Sequence, residues 1–415
     1  MSASSAFGIV FLAALALATA TRLWLASRHV SHVRAHRARV PDAFASEISL
    51  DAHQKAADYT CAKTRLAMAE VGFDAGVLLL LTFGGVLQWL HEASALLLPE
   101  GIGRGLLLLV LVGALMTALE LPFGLCRTFV IETRFGFNKM TRALYFADFA
   151  KSIALALAFG LPLGTIVLWL MGRAGEYWWL YAWLTWLAFN VFMVAVYPTW
   201  IAPLFNRFSP VQDPELKERV ERLMARCGFK VKGLMVMDGS RRSTHGNAYF
   251  TGFGTSKRIV FFDTLLQRLN PGEVESVLAH ELGHFKLRHV VKRMAWLAAA
   301  SLGLLWLLGW IMLQPWFYQG LNVHAPTSAM ALVLFSIVLP QFTILLQPVG
   351  ALLSRRHEFQ ADHYAAENAS ARDLVSALIK LYRDNATTLT PDPLHSMFYD
   401  SHPSAVARIA RLQKA

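Results

Sequence analysis

Charge is scarce in this chain. Only 16% of its 415 residues are Asp, Glu, Lys or Arg, where a water-soluble globule carries about a quarter. With 55% hydrophobic residues, that shortage argues against an ordinary soluble domain and for lipid contact. Cysteine is scarcer still. Cys61, Cys126 and Cys227 show no paired spacing, so neither a disulfide framework nor a cysteine metal site is expected. There is no low-complexity tract and no clear internal repeat. Met1 to Ser5 also lack the side-chain charge of a cleaved leader, so the first apolar stretch is expected to stay as an anchor, N-terminus outside.

What is abundant is apolar sequence in long blocks. Stretches near 6–26, 72–90, 105–125, 152–171, 178–197, 293–313 and 330–352 approach the roughly 20 residues that cross a bilayer core. Seven transmembrane helices are predicted, with 152–171 and 178–197 forming a tight antiparallel hairpin. An outside N-terminus then puts 27–71, 126–151, 198–292 and 353–415 in the cytoplasm. The outside loops hold only Arg104 and Arg173, whereas 27–71 alone holds seven Lys and Arg. That is the positive-inside bias. It also explains the net charge of +11 by attraction to anionic lipid rather than nucleic acid.

The expected organisation is a five-helix membrane region (1–197), a polar cytoplasmic segment (198–292), a membrane hairpin (293–352) and a second cytoplasmic segment (353–415). A site shared by the two polar segments would bring the ends of that hairpin together. Pro214 to Phe229 reads as an amphipathic helix after Asp213, and Val231 to Met237 as a strand. Residues 245–263 read as two strands joined around Gly254-Thr255-Ser256-Lys257. Asn270-Pro271-Gly272-Glu273 starts a helix through 280–284.

That last helix carries the chemistry, in SVLAHELGHFKLRH. His280 and His284 are four apart and project from one helical face, so both imidazoles can bind one zinc ion. Glu281 is placed to take a proton from a zinc-activated water as it attacks a carbonyl. The plainer alternative is an ordinary helix with two buried histidines. Catalytic zinc usually takes three protein ligands. One protease class uses a third histidine ten residues after the first, preceded by a glycine; Val290 and Leu287 stand there and exclude it. In SRRHEFQADH, 354–363, Glu358 and Asp362 share a face. Glu358 is assigned as third ligand, and Asp362 as acceptor from the outer N–H of a ligating histidine. A salt bridge from Glu358 to Arg355 or Arg356 is the alternative, and His357 and His363 are rival ligands.

With these residues in view, the chain resembles the CAAX prenyl protease type 1 family, integral-membrane gluzincin endopeptidases. The matching motifs are ETRFGFNKMT at 132–141, YPTWIAPLFNRFSP at 197–210, STHGNAYFTGFG at 243–254, VLAHELGHFK at 277–286, SRRHEFQAD at 354–362 and SHPSAVARI at 401–409. The resemblance implies zinc on His280, His284 and Glu358, one ion per chain, with Glu281 as general base. It implies that Asn247 and Ala248 lie along the substrate as an edge strand, and that His402 and Arg408 hydrogen-bond the transition-state oxyanion. It implies seven helices around an intramembrane chamber, capped on the cytoplasmic side by a mainly α zinc-protease domain with a small β-sheet. The implied reaction removes the last three residues of a prenylated C-terminal CAAX sequence. The membrane would be the endoplasmic reticulum in a eukaryote or the inner membrane in a bacterium. The Ala- and Arg-rich composition and compact loops look bacterial.

Two other functions compete. A membrane quality-control zinc protease of the same superfamily would usually have fewer spans. A transporter or receptor with structural zinc has no need of Glu281. His29, His32 and His36 are read as a basic juxtamembrane helix rather than a metal site. Trp178, Trp179 and Trp316 are read as interfacial anchors, while Asp74 and Glu120 either end spans or line the chamber.

Overall fold

A computed structural model describes residues 1–229, 233–251 and 258–414. The membrane region begins with α1 (Ala3–Ala35), α2 (Leu50–Leu81), α3 (Val86–Leu97), α4 (Ile102–Leu125), α5 (Arg142–Arg173) and α6 (Trp178–Val196). A π-helical turn, Cys126–Glu132, extends α4, and another, Tyr197–Ile201, leads into the short α7 (Ala202–Phe205). Among the described residues, six helices are long and apolar enough to cross a membrane, seven if α2 and α3 count as one bent span.

That bend corrects the sequence expectation of one helix over 72–90. The Thr82 hydroxyl donates back to the Leu78 carbonyl at 2.7 Å, and Gly85 takes the left-handed conformation at φ 76°, which glycine enters without steric cost. The chain restarts as α3 at 54° to α2.

A small sheet follows. Strands β1 (Phe208–Pro210), β2 (Gly233–Met237), β3 (Ala248–Thr251) and β4 (Arg258–Phe262) form one sheet in the order β1-β2-β4-β3. β2 and β4 are parallel, and β3 closes the sheet as an antiparallel edge, with Ala248 opposite Phe261. Val231, and the turn expected at Gly254 to Lys257, lie outside the described residues.

Around the sheet come α8 (Pro214–Cys227), α9 (Asp263–Leu266) and α10 (Pro271–Lys286). Then come the span α11 (His289–Ile311), the short α12 (Pro315–Gln319) and the span α13 (Ser328–Thr343). After a 3-10 turn, α14 (Gln347–Asn368) leads to α15 (Ala371–Asp384), α16 (Pro393–Tyr399) and α17 (Ala405–Leu412). The polar segments on either side of the α11–α13 hairpin share one core: Val220, Phe261, Leu278 and Leu282 pack with Ala365, Leu374 and Ala377.

Candidate metal centre and active site

The local sequence builds α10 securely. Asn270 caps it, accepting from the Glu273 amide at 2.9 Å, while the Glu273 carboxylate accepts from the Asn270 amide at 2.9 Å. This reciprocal capping box satisfies two amides that a helix start leaves free. Glu273 is buried and also meets Lys380 Nζ and the Ser376 hydroxyl from α15. Further along, Gly283 lets α14 approach: a Cβ there would lie 3.0 Å from Ala361 Cα. The HExxH helix and the helix bearing Glu358 are thereby brought side by side.

Three side chains meet at that contact. His280 Nε2 and His284 Nε2 are 3.2 Å apart. Glu358 reaches the first at 3.5 Å and the second at 3.4 Å. Ligand atoms of all three lie within 4.8 Å of one another, the one such group of three His, Cys, Asp or Glu among the described residues. Glu358 Oε2 is buried with no hydrogen-bond partner, a costly state for a carboxylate oxygen. Two imidazole nitrogens and that orphaned oxygen fit a divalent metal, and N/O donors in this number suit zinc. His357 instead stacks on His289, ring centroids 4.0 Å apart, and His363 Nε2 lies 3.3 Å from Glu367.

The outer nitrogens fix the tautomers. His280 Nδ1 lies 2.8 Å from Asp362 Oδ1; a carboxylate only accepts, so Nδ1 carries a proton, and Nε2 is the nitrogen that would offer its lone pair to a metal on losing its own. On the other side His284 Nδ1 lies 3.0 Å from His289 Nδ1, and His289 Nε2 lies 2.9 Å from Gln360 Oε1. With His289 donating to Gln360, it accepts from His284, and His284 Nε2 is also left with a lone pair. Nothing in the sequence pattern marks His289. It follows the left-handed Arg288 (φ 56°) on a new helix, and only the fold returns it to His284.

Arg408 is buried and grips Asp362 twice, Nε to Oδ2 at 2.9 Å and Nη2 to Oδ1 at 2.5 Å. The remaining nitrogen, Nη1, is 3.8 Å from Glu358 Oε2. His402 stands at the mouth, its side chain 59% exposed and its Nε2 3.4 Å from Glu358 Oε2. Burial opposes charge on His280, but its bond to Asp362 and the nearby Glu358 carboxylate outweigh it and raise its pKa to about 9. Burial pushes the Glu281 carboxyl up. Although burial works against it, the bond to Asp362 raises the Arg408 pKa further and keeps it charged.

The chain leading into the edge strand is held by the segment between α4 and α5. Asn247 is exposed, and its carbonyl accepts from Phe262 N at 2.9 Å; β3 is in contact with α10. The chain entering it pairs with the 132–141 motif through Lys139 N to Arg242 O (3.1 Å) and Thr244 N to Phe137 O (3.2 Å). Glu132 receives the Tyr59 hydroxyl and faces His245 Nε2 at 3.5 Å.

A membrane protein of many apolar spans, with two histidines of an HExxH helix facing a glutamate on a later helix, has the architecture of a membrane metalloendopeptidase. Comparison with known proteins agrees. Residues 29–207 match the family described as CAAX prenyl protease N-terminal, five membrane helices, and residues 210–415 match peptidase family M48. CAAX prenyl protease 1 of Saccharomyces cerevisiae is 32% identical over 400 residues, 90% of this chain and 88% of that protein. The Caenorhabditis elegans homologue is 30% identical and covers 96% of both chains. The crystal structure of S. mikatae Ste24p superposes with a TM-score of 0.91 at 29% identity, covering 98% of each chain. The chain therefore belongs to peptidase family M48, in the branch with the CAAX prenyl protease N-terminal domain. It is a polytopic membrane metalloendopeptidase.

Proposed function

We propose that this chain is a zinc-dependent endopeptidase that removes the C-terminal tripeptide from prenylated CAAX sequences, using one zinc ion per chain at the cytoplasmic face of its membrane. The observation that carries the proposal is the His280–His284–Glu358 group beside Glu281. Relatives named CAAX prenyl protease 1, similar over most of the chain, support the substrate class. Positive charge on the loops flanking the spans supports the orientation.

Zinc, when bound, supplies Lewis acidity that polarises a carbonyl and lets a water lose its proton near neutral pH. The rest is done by the chain. Glu281 takes the proton, and its raised pKa makes it a stronger base than a free carboxylate. Asp362 and His289 hold the two histidines with Nε2 lone pairs inward. His402 Nε2 and Arg408 Nη1 are the donors left to face a developing oxyanion, a role typically worth about 3 kcal/mol. Asn247 and Ala248, on the open edge of the sheet, would pair with the substrate backbone as an added strand. The prenyl chain would lie in a chamber among the spans, region 1–197 together with 293–352. Segments 198–292 and 353–415 would act as one catalytic unit, α14 passing unbroken across residue 352.

The test is cleavage of a farnesylated CAAX peptide against the same peptide without the lipid, using purified protein in detergent. Tripeptide release should favour the farnesylated peptide by at least about tenfold, the effect of burying only about two methylenes. Equal rates would remove the prenyl part of the proposal, and no cleavage of either would remove the peptidase specificity.

A further inference from the structure

Behind the metal helix lies a second concave site. An open cavity of about 570 Å3 is lined by Lys292 at the start of α11, Arg356 on α14 and Arg411 on α17, with Leu353, His357 and His363 among its other walls. Arg356 precedes Glu358 by two residues, a rotation of about 200°, so the cavity lies on the face of α14 turned away from the metal ligands. No Asp or Glu lines it.

The three cations are available. Lys292, Arg356 and Arg411 are exposed. None of them makes an ion pair among the described residues; Arg411 lies over the Phe359 ring at 4.7 Å. Of the acids on α14, Glu358 and Asp362 are buried and turned to the metal ligands, and Glu367 faces His363 at 3.3 Å. A smaller adjoining cavity adds Lys414 to the basic rim, together with Asp362, which is buried and already paired with Arg408 and His280.

The cavity also sits at a particular height. Val291 and Met294 on α11, and Val349, Leu352 and Leu353 on α14, are exposed apolar residues of the two spans. On α11 Lys292 lies between Val291 and Met294, and on α14 Arg356 follows three residues after Leu353, so the cations stand beside these apolar surfaces. Guanidinium and ammonium groups converging without a counter-charge suit a phosphate group, and the apolar strips suit acyl chains. A basic pocket between spans on the cytoplasmic side is the setting in which headgroups bind.

We infer that this cavity holds the phosphate of an anionic phospholipid, gripped by Lys292, Arg356 and Arg411, with its acyl chains along α11 and α14. The full chain in mild detergent can be titrated with phosphatidylglycerol or phosphatidylcholine and retention read by native mass spectrometry. Phosphatidylglycerol should be retained at one site per chain and phosphatidylcholine should not. Each of Lys292→Gln, Arg356→Gln and Arg411→Gln should weaken retention roughly fivefold, and the triple variant about a hundredfold. The charge-keeping triple variant Lys292→Arg, Arg356→Lys, Arg411→Lys should retain the lipid, and zinc content should match wild type in both, which separates lost charge from misfolding. Unchanged retention in the Gln triple variant, or equal retention of the two lipids, would overturn the inference. Displacement of phosphatidylglycerol by millimolar inorganic phosphate would overturn the lipid assignment; retention in its presence supports it.

Discussion

In α5 and α6, the buried residues are Leu168, Leu170, Trp178 and Ala182, and most of the apolar remainder is exposed. In α10, buried positions include Glu273, Ser276 and His280 alongside Val274, Leu278 and Leu282. The polar bonds differ in the same way. Within the spans, Thr165, Thr185 and Asn190 bond a carbonyl of their own helix, and a bond such as Trp183 Nε1 to Ala298 O at 2.9 Å crosses between helices. In the catalytic unit the bonds run between elements: Lys380 to Glu273, Asp362 to His280, Arg408 to Asp362. The spans depend on the bilayer to cover them, whereas the catalytic unit depends on buried charges being paired. A deletion should therefore be absorbed in the first region and propagate in the second.

The largest effect is expected at the shared ligand. Glu358→Ala should abolish stoichiometric zinc and activity together, read by metal analysis and peptide cleavage. Retention of zinc would move the third ligand elsewhere. Next come the groups behind the histidines. Asp362→Asn and His289→Ala should each weaken zinc binding about 10–100-fold in chelator competition. Asp362→Asn should also destabilise the fold by roughly 3 kcal/mol, because it leaves Arg408 buried beside a neutral partner. His289→Gln, which can still accept from His284, should recover part of the affinity.

A smaller effect separates structure from chemistry. Burial opposes charge on Glu273, but bonds from Lys380, Ser376 and Asn270 outweigh it and hold its pKa below the usual carboxylate range. Its contribution is complete above the unfolded pKa and is lost as pH falls through the folded one. Glu273→Gln should cost about 2 kcal/mol near neutral pH, a buried-pair value discounted because Lys380 is partly exposed, and the gap to wild type should close on acidification. Thermal unfolding at neutral and acid pH reads both. Smallest of all, Val191→Ala, at a span position 53% exposed, should change stability by no more than about 0.5 kcal/mol in detergent.

The same contrast governs how much could be read from sequence. Periodicity and charge bias are local signals, so the spans, the 271–286 helix with its Asn270 cap and the His280–His284 spacing were all legible. The meeting of Glu358 with the two histidines was legible through known metal geometries and its spacing from Asp362. The α2–α3 break had a signal in the Gly84-Gly85 pair, hidden inside an apolar run. Other contacts join residues far apart and leave no local trace. Glu132 meets His245, and His29, expected on a plain basic juxtamembrane helix, is buried with its ring stacked on His395 while Arg28 pairs with Asp392. Long-range polar pairing is set by which elements the core brings together, and no window of sequence contains it.

The measurement closest to the central claim is single-turnover cleavage by Glu281→Gln alongside its zinc content. If Glu281 is the base beside a metal held by His280, His284 and Glu358, the variant should keep about one zinc per chain and lose cleavage by at least about 100-fold, the lower reach of general-base catalysis. Normal cleavage with zinc retained would contradict the account.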